Sequence, residues 1–154
     1  MTSVASAVFA FLHFLAAFAL VAALTLELVL LRLPLTVATG RRILVADLVT
    51  GIAAVLVLAA GLLRVFYYEK GAGYYSHSAP FIAKMALFAL VFAFSITPTV
   101  EFLSWRKTLK AGLAPVVAEA RVRLLRRLIH IELTGVVLII LAAALMAHGI
   151  GYFG

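Results

Sequence analysis

The sequence predicts an all-α membrane protein, a single four-helix transmembrane domain over residues 1–154 with both termini extracytoplasmic. Three observations lead there. Of the residues, 66% are hydrophobic and 12% charged, and mean hydropathy is +1.21, against the roughly half-apolar usage of soluble domains. Four apolar runs, Val4 to Leu31, Ile43 to Leu63, Pro80 to Leu103 and Leu128 to His148, each reach the about 20 helical residues that cross a ~30 Å hydrocarbon layer. Unbroken runs of this length lack the alternation of a barrel strand, so the backbone must satisfy itself as helices. The cations are also unevenly shared. Arg32, Arg41 and Arg42 lie in the first loop, and Arg106, Lys107, Lys110, Arg121, Arg123, Arg126 and Arg127 in the third, against Arg64 and Lys70 in the second. Such a bias is expected to place the first and third loops in the cytoplasm.

The expected helices are about 4–31, 43–66, 80–104 and 120–149. The first contains the small-residue string Ala5-Ser6-Ala7 but lacks a basic leader. Its run also exceeds the ~7–15 residues of a signal peptide, so it is expected to be retained. The second carries Asp47, Gly51, Ala54, Leu58 and Gly61 on one face, a small-residue strip that allows close helix approach. Ser78 and Pro80 mark the start of the third, as cap and first-turn proline, and Pro98 is expected to kink it. The basic stretch from Trp105 to Arg127, broken by Gly112 and Pro115, reads as an amphipathic segment on anionic headgroups. That placement favours lipid over nucleic acid as the partner of a +7 chain. No cysteine is present, which removes disulfides, thiolate metal sites, iron–sulfur clusters and covalently attached haem.

Within the spans the polar residues sort by depth. His13, Tyr67, Tyr68, Tyr74, Tyr75, His77, Lys84, His148 and Tyr152 fall towards the outer side, and Glu27, Asp47, Glu101, His130 and Glu132 towards the inner. The tyrosines fit an aromatic belt. His13 and Glu27 share a face of the first helix, about 21 Å apart. Lys84, Phe88, Val91, Ser95 and Thr99 form one stripe on the third. His13, Lys84 and His148 are therefore candidate nitrogen ligands at similar depth, suited to haem b held edge-on between helices. Phe11, Phe14, Phe81 and Phe88 would line its pocket. Each has a plainer reading: packing glue for His13, a snorkelling ammonium for Lys84, a helix cap for His148. Glu27 and Glu132 are candidates for proton delivery from inside, while ion pairs with nearby arginines and lysines would account for Asp47 and Glu101.

The segments FLHFLAAFALVAALTLELVLLR, KGAGYYSHSAPFIAKMALF, SITPTVEFLSWRK and RLIHIELTG together resemble a family of small bacterial integral membrane proteins defined as a domain of unknown function. The resemblance covers the whole chain and implies a location in the bacterial inner membrane. More distantly it is similar to the oxygen-independent, HemJ-type protoporphyrinogen oxidases, four-helix membrane proteins that bind haem b. The family's first-helix histidine, third-helix lysine and fourth-helix glutamate would correspond to His13, Lys84 and Glu132. Ile82, Ile131 and Thr134 depart from its pattern, so the resemblance implies a shared scaffold and haem binding more than a shared substrate.

Three functional classes follow. One is a haem-b membrane protein in redox or electron transfer, a membrane oxidoreductase if it oxidises a tetrapyrrole, with a quinone or another redox partner. Another is a small transporter or channel for a proton or ion, which four helices would form as a homo-oligomer. The last is an accessory subunit of a larger complex.

Overall fold

The computed structural model describes residues 2–68 and 72–153, and each helix begins and ends where local chemistry dictates. Helix α1, Thr2–Leu30, has no proline or glycine and stops short of Pro34, whose ring disfavours helix at the residue before it. Helix α2, Val37–Leu63, starts at Thr36, whose hydroxyl accepts from the Thr39 amide at 3.1 Å. It therefore begins six residues before the expected position 43. Arg41 and Arg42 belong to its first turns, because the Thr36 cap sets the start rather than the first apolar residue. A π-helical stretch, Arg64–Tyr68, continues it.

Beyond the short helix α3, Ala72–Ser76, comes α4, Ala79–Ser104. Ser78 is its N-cap residue and Pro80 lies in the first turn, as expected, but the Ser78 hydroxyl makes no cap hydrogen bond. The helix runs through Pro98 without a break. After α5, Arg106–Lys110, helix α6 covers Glu119–Ala147. His148 caps it and Gly149 follows at φ 71°, while the Ile150 amide donates to the Leu145 carbonyl at 3.1 Å. This left-handed C-terminal turn needs the missing Cβ at Gly149.

Four helices, α1, α2, α4 and α6, are long and apolar enough to cross a membrane. They pack as two antiparallel pairs, α1 with α2 and α4 with α6. The pairs meet through α1 against α6 and, more briefly, α2 against α4, so α1 and α4 are not neighbours among the described residues. Leu24, Ile43, Phe102, Leu125 and Ile129 are fully enclosed where the pairs meet. Gly135 of α6 lies so close to Val91 of α4 that any Cβ there would collide with its methyl group, the close approach that small residues provide in membranes. Along α2 the expected small strip is only half used. Gly61 lies against His13, whereas Gly51 faces open space.

Both ends of the bundle are tied down. At the end carrying most cations, Leu109 of α5 is buried against Gly40 of α2 and Arg41 donates to the Leu109 carbonyl at 3.2 Å. Trp105, Leu109 and Pro115 of the basic segment are thus docked on the bundle, while Arg106, Lys107 and Lys110 stay exposed. The docking arises because Trp105, Leu109 and Pro115 find protein contacts. At the opposite end the C-terminal tail hooks onto the start of α4. The Ala79 amide donates to Gly151 and the Phe153 amide to His77, both at 3.0 Å. Tyr67 is exposed and Tyr75 buried, so the aromatic belt is only partly at the surface. The Tyr68 and Tyr74 side chains, and Lys70, lie outside the described residues.

Candidate functional site

The two helix pairs bring carboxyl groups together in the bundle interior. Glu27, three residues before the end of α1, is 1% exposed and accepts from the Thr50 hydroxyl of α2 at 2.5 Å. Asp47, one turn from Thr50 on the same face of α2, is buried and accepts from the Thr99 hydroxyl of α4 at 2.7 Å. Glu132 of α6 is 2% exposed, and among the described residues its Oε1 has no hydrogen-bond partner. Glu27 interacts electrostatically with Asp47 and Glu132, and Glu132 with Asp47. All four spanning helices therefore contribute a side chain to one polar cluster.

The cluster is deep and its flanks are dry. Asp47 lies six positions from Arg41, about 9 Å along the helix. Buried Leu24 and Leu28 flank Glu27, Ile43 and Ala46 flank Asp47, and Ile129 and Val136 flank Glu132. An ionised carboxylate only accepts hydrogen bonds, and a protonated one also donates. Three carboxyl groups here meet two hydroxyl donors. A buried charge without a partner is costly, and among the described residues no three acidic or histidine side chains are spaced to hold a metal ion.

Glu27 and Glu132, expected to act in proton delivery, are thus brought together. Asp47 is not the arginine-paired surface group the sequence suggests. Helical side chains tilt towards the helix N-terminus, which carries Arg41 away from Asp47 to the Leu109 carbonyl. Glu101 is ion-paired, to Arg121 of α6 at 2.7 Å, and accepts from Trp105 Nε1 at 3.1 Å. His130 is exposed and donates from Nδ1 to the Arg126 carbonyl at 2.9 Å, outside the cluster. Thr50 is the residue that sequence reasoning missed. Its signal was the Asp47-Thr50 spacing, one turn apart on a helix.

The nitrogen candidates are not gathered in this way. His13 Nδ1 donates to the Val57 carbonyl of α2 at 3.0 Å, and its ring lies against Gly61, where a Cβ would stand 3.2 Å from Cε1. Lys84 is on α4, which is not adjacent to α1, and its Nζ lies 5.4 Å from the Phe81 ring centre. His148 is exposed at the end of α6. Phe14 is exposed, with the Arg64 guanidinium 5.8 Å from its ring centre, and Phe88 is half-buried. Two open surface depressions, of about 400 Å³ beside Val4 and Phe11 and about 350 Å³ between α4 and α6, are lined by none of His13, Lys84 and His148. Of the haem set, His13 is held against α2. The rest of the set does not surround it.

Neither the curated proteins nor the solved structures contain a match to this chain. A family model described as "Predicted membrane protein (DUF2214)" matches residues 5–151, in accord with four spanning helices. The chain belongs to this DUF2214 family of membrane proteins.

Proposed function

We propose that the protein is a small oligomeric membrane transporter or channel for a proton or ion, with the buried acids Glu27, Asp47 and Glu132 forming a station on its route. The observation that carries this reading is Glu132, a nearly inaccessible carboxyl group with one oxygen unpartnered beside two others. Intramembrane acids are expensive and mark ion or proton routes. A side chain kept only for packing would be apolar at that position, as Ile129 and Val136 are. Thr50 and Thr99 fix two of the carboxyl groups, leaving the third to take up and release the ion. The cation bias orients the cluster towards the cytoplasm. Beyond it, buried Ala16, Leu20, Ala53 and Ala60 offer no polar groups, so complete passage calls on a second copy or a rearrangement of the helix pairs.

The test is proton and sodium flux into liposomes containing the purified protein, driven by a potassium diffusion potential. Wild type should carry one of these ions, and Glu132→Gln, which keeps shape and removes the exchangeable charge, should not. Flux equal to that of empty liposomes, or equal flux in the variant, would overturn the proposal.

One observation favours a second reading, haem b bound through His13. A carbonyl only accepts, so the Val57 bond puts the His13 proton on Nδ1, the second-shell arrangement that orients metal-binding histidines. When bound, haem would supply redox chemistry. An absorption spectrum of the purified protein separates the readings. A Soret band lost in His13→Ala supports haem, and a colourless protein that carries ions supports the carboxyl station.

A further inference from the structure

A groove of about 350 Å³ runs between α4 and α6 on the outside of the bundle. Its α6 wall is a single stripe containing Arg127, His130, Thr134 and Leu138, and its α4 wall includes Leu90 and Phe94. The slot exists because Gly135, at its floor, brings no side chain and lets Val91 close against the backbone. From Arg127 to Leu138 the stripe advances eleven positions, about 16 Å. That is close to half of the ~30 Å hydrocarbon layer, the depth of one leaflet.

The chemistry is graded along that length. Arg127 stands at the end of the bundle where the cations collect, and the walls become apolar beyond Thr134. Among the described residues the ion pairs are Glu101 with Arg121 and Glu119 with Arg123, so neither neutralises Arg127. His130 is oriented by its Nδ1 bond to the Arg126 carbonyl, which leaves Nε2 as the ring atom for a ligand. A cationic mouth over an apolar slot one leaflet long complements a negatively charged head with a hydrocarbon tail.

We infer that this groove seats one anionic phospholipid, its phosphate held by Arg127 and His130 and one acyl chain lying along the slot towards Leu138. The inference is independent of the carboxyl station, which uses the opposite face of α6.

Native mass spectrometry of the detergent-purified protein, titrated with phosphatidylglycerol or with phosphatidylcholine of the same chains, tests it. Wild type should retain one phosphatidylglycerol in preference to phosphatidylcholine. Arg127→Gln with His130→Gln should weaken that binding by about tenfold or more. Thr134→Phe, which fills the slot without changing charge, should weaken it as well, while Arg123→Gln should leave it intact. Equal retention of the two lipids by wild type overturns the inference without recourse to any variant. So does undiminished binding in Thr134→Phe, which would reduce the contact to headgroup electrostatics, or a bound quinone that excludes the lipid.

Discussion

Replacing Thr50 by valine keeps the shape of the side chain and deletes the hydroxyl that Glu27 accepts from. Both groups are buried, at 8% and 1% exposure, so water cannot replace the lost donor cheaply. Removing one partner of a buried hydrogen bond costs about 1–3 kcal/mol. Interhelical bonds within membranes average lower, ~0.6 kcal/mol with a ceiling near ~1.7. A carboxyl group stranded in the interior belongs near the top of the membrane range, so Thr50→Val should destabilise by about 1–2 kcal/mol. At about 2–4 °C per kcal/mol for a chain of this size, Tm should fall by roughly 2–8 °C. Thermal unfolding in mild detergent, followed by circular dichroism, reads this directly. The companion is a double variant, Thr50→Val with Glu27→Leu. If the cost comes from a stranded acid, making both partners apolar should restore most of the loss. A single variant as stable as wild type, or a double variant that melts as the sum of two losses, would refute the reasoning.

Two further outcomes follow from the geometry. Gly61→Leu should force the His13 imidazole off α2, since even a Cβ there stands 3.2 Å from the ring. A loss of about 1–3 kcal/mol, typical of overpacking, should appear in the same melting assay. Glu101→Gln should cost little, within about 1 kcal/mol, because the Arg121 partner is partly exposed. It should nonetheless shift the emission of Trp105, the only tryptophan, whose Nε1 donates to Glu101.

How much of this was legible in the sequence depends on what each signal measures. Apolar length marks four spans because crossing hydrocarbon requires about 20 helical residues. The start of α2 precedes the apolar run because Arg41 and Arg42 break that run, although Thr36 and Pro34 already specify the turn. The carboxyl cluster was only half legible. Depth along each helix follows from residue number, so Glu27 and Glu132 stood out as acids inside spans. Which faces meet is set by the pairing of α1 with α2 and α4 with α6, and spans apolar nearly all round carry little record of it. That is why the sequence carries little mark of the role of Thr50 and points Asp47 towards the loop arginines rather than Thr99. His13 shows the same limit. A lone imidazole in FLHFLAAF is conspicuous in sequence, but Val57, which accepts its hydrogen bond, lies 44 positions away. The tail hook of Gly151 and Phe153 on the start of α4 left no pattern in the sequence at all.

Asp47 is the only aspartate in the chain, so one selectively ¹³C-labelled carboxyl resonance reports on the cluster without ambiguity. Its titration with pH should differ between wild type and Glu132→Gln, because sites that interact bind protons as a unit. A curve displaced or reshaped by the substitution on α6 is the predicted result. Superimposable curves would show that Asp47 and Glu132 do not share a proton-binding station, and would contradict the account at its centre.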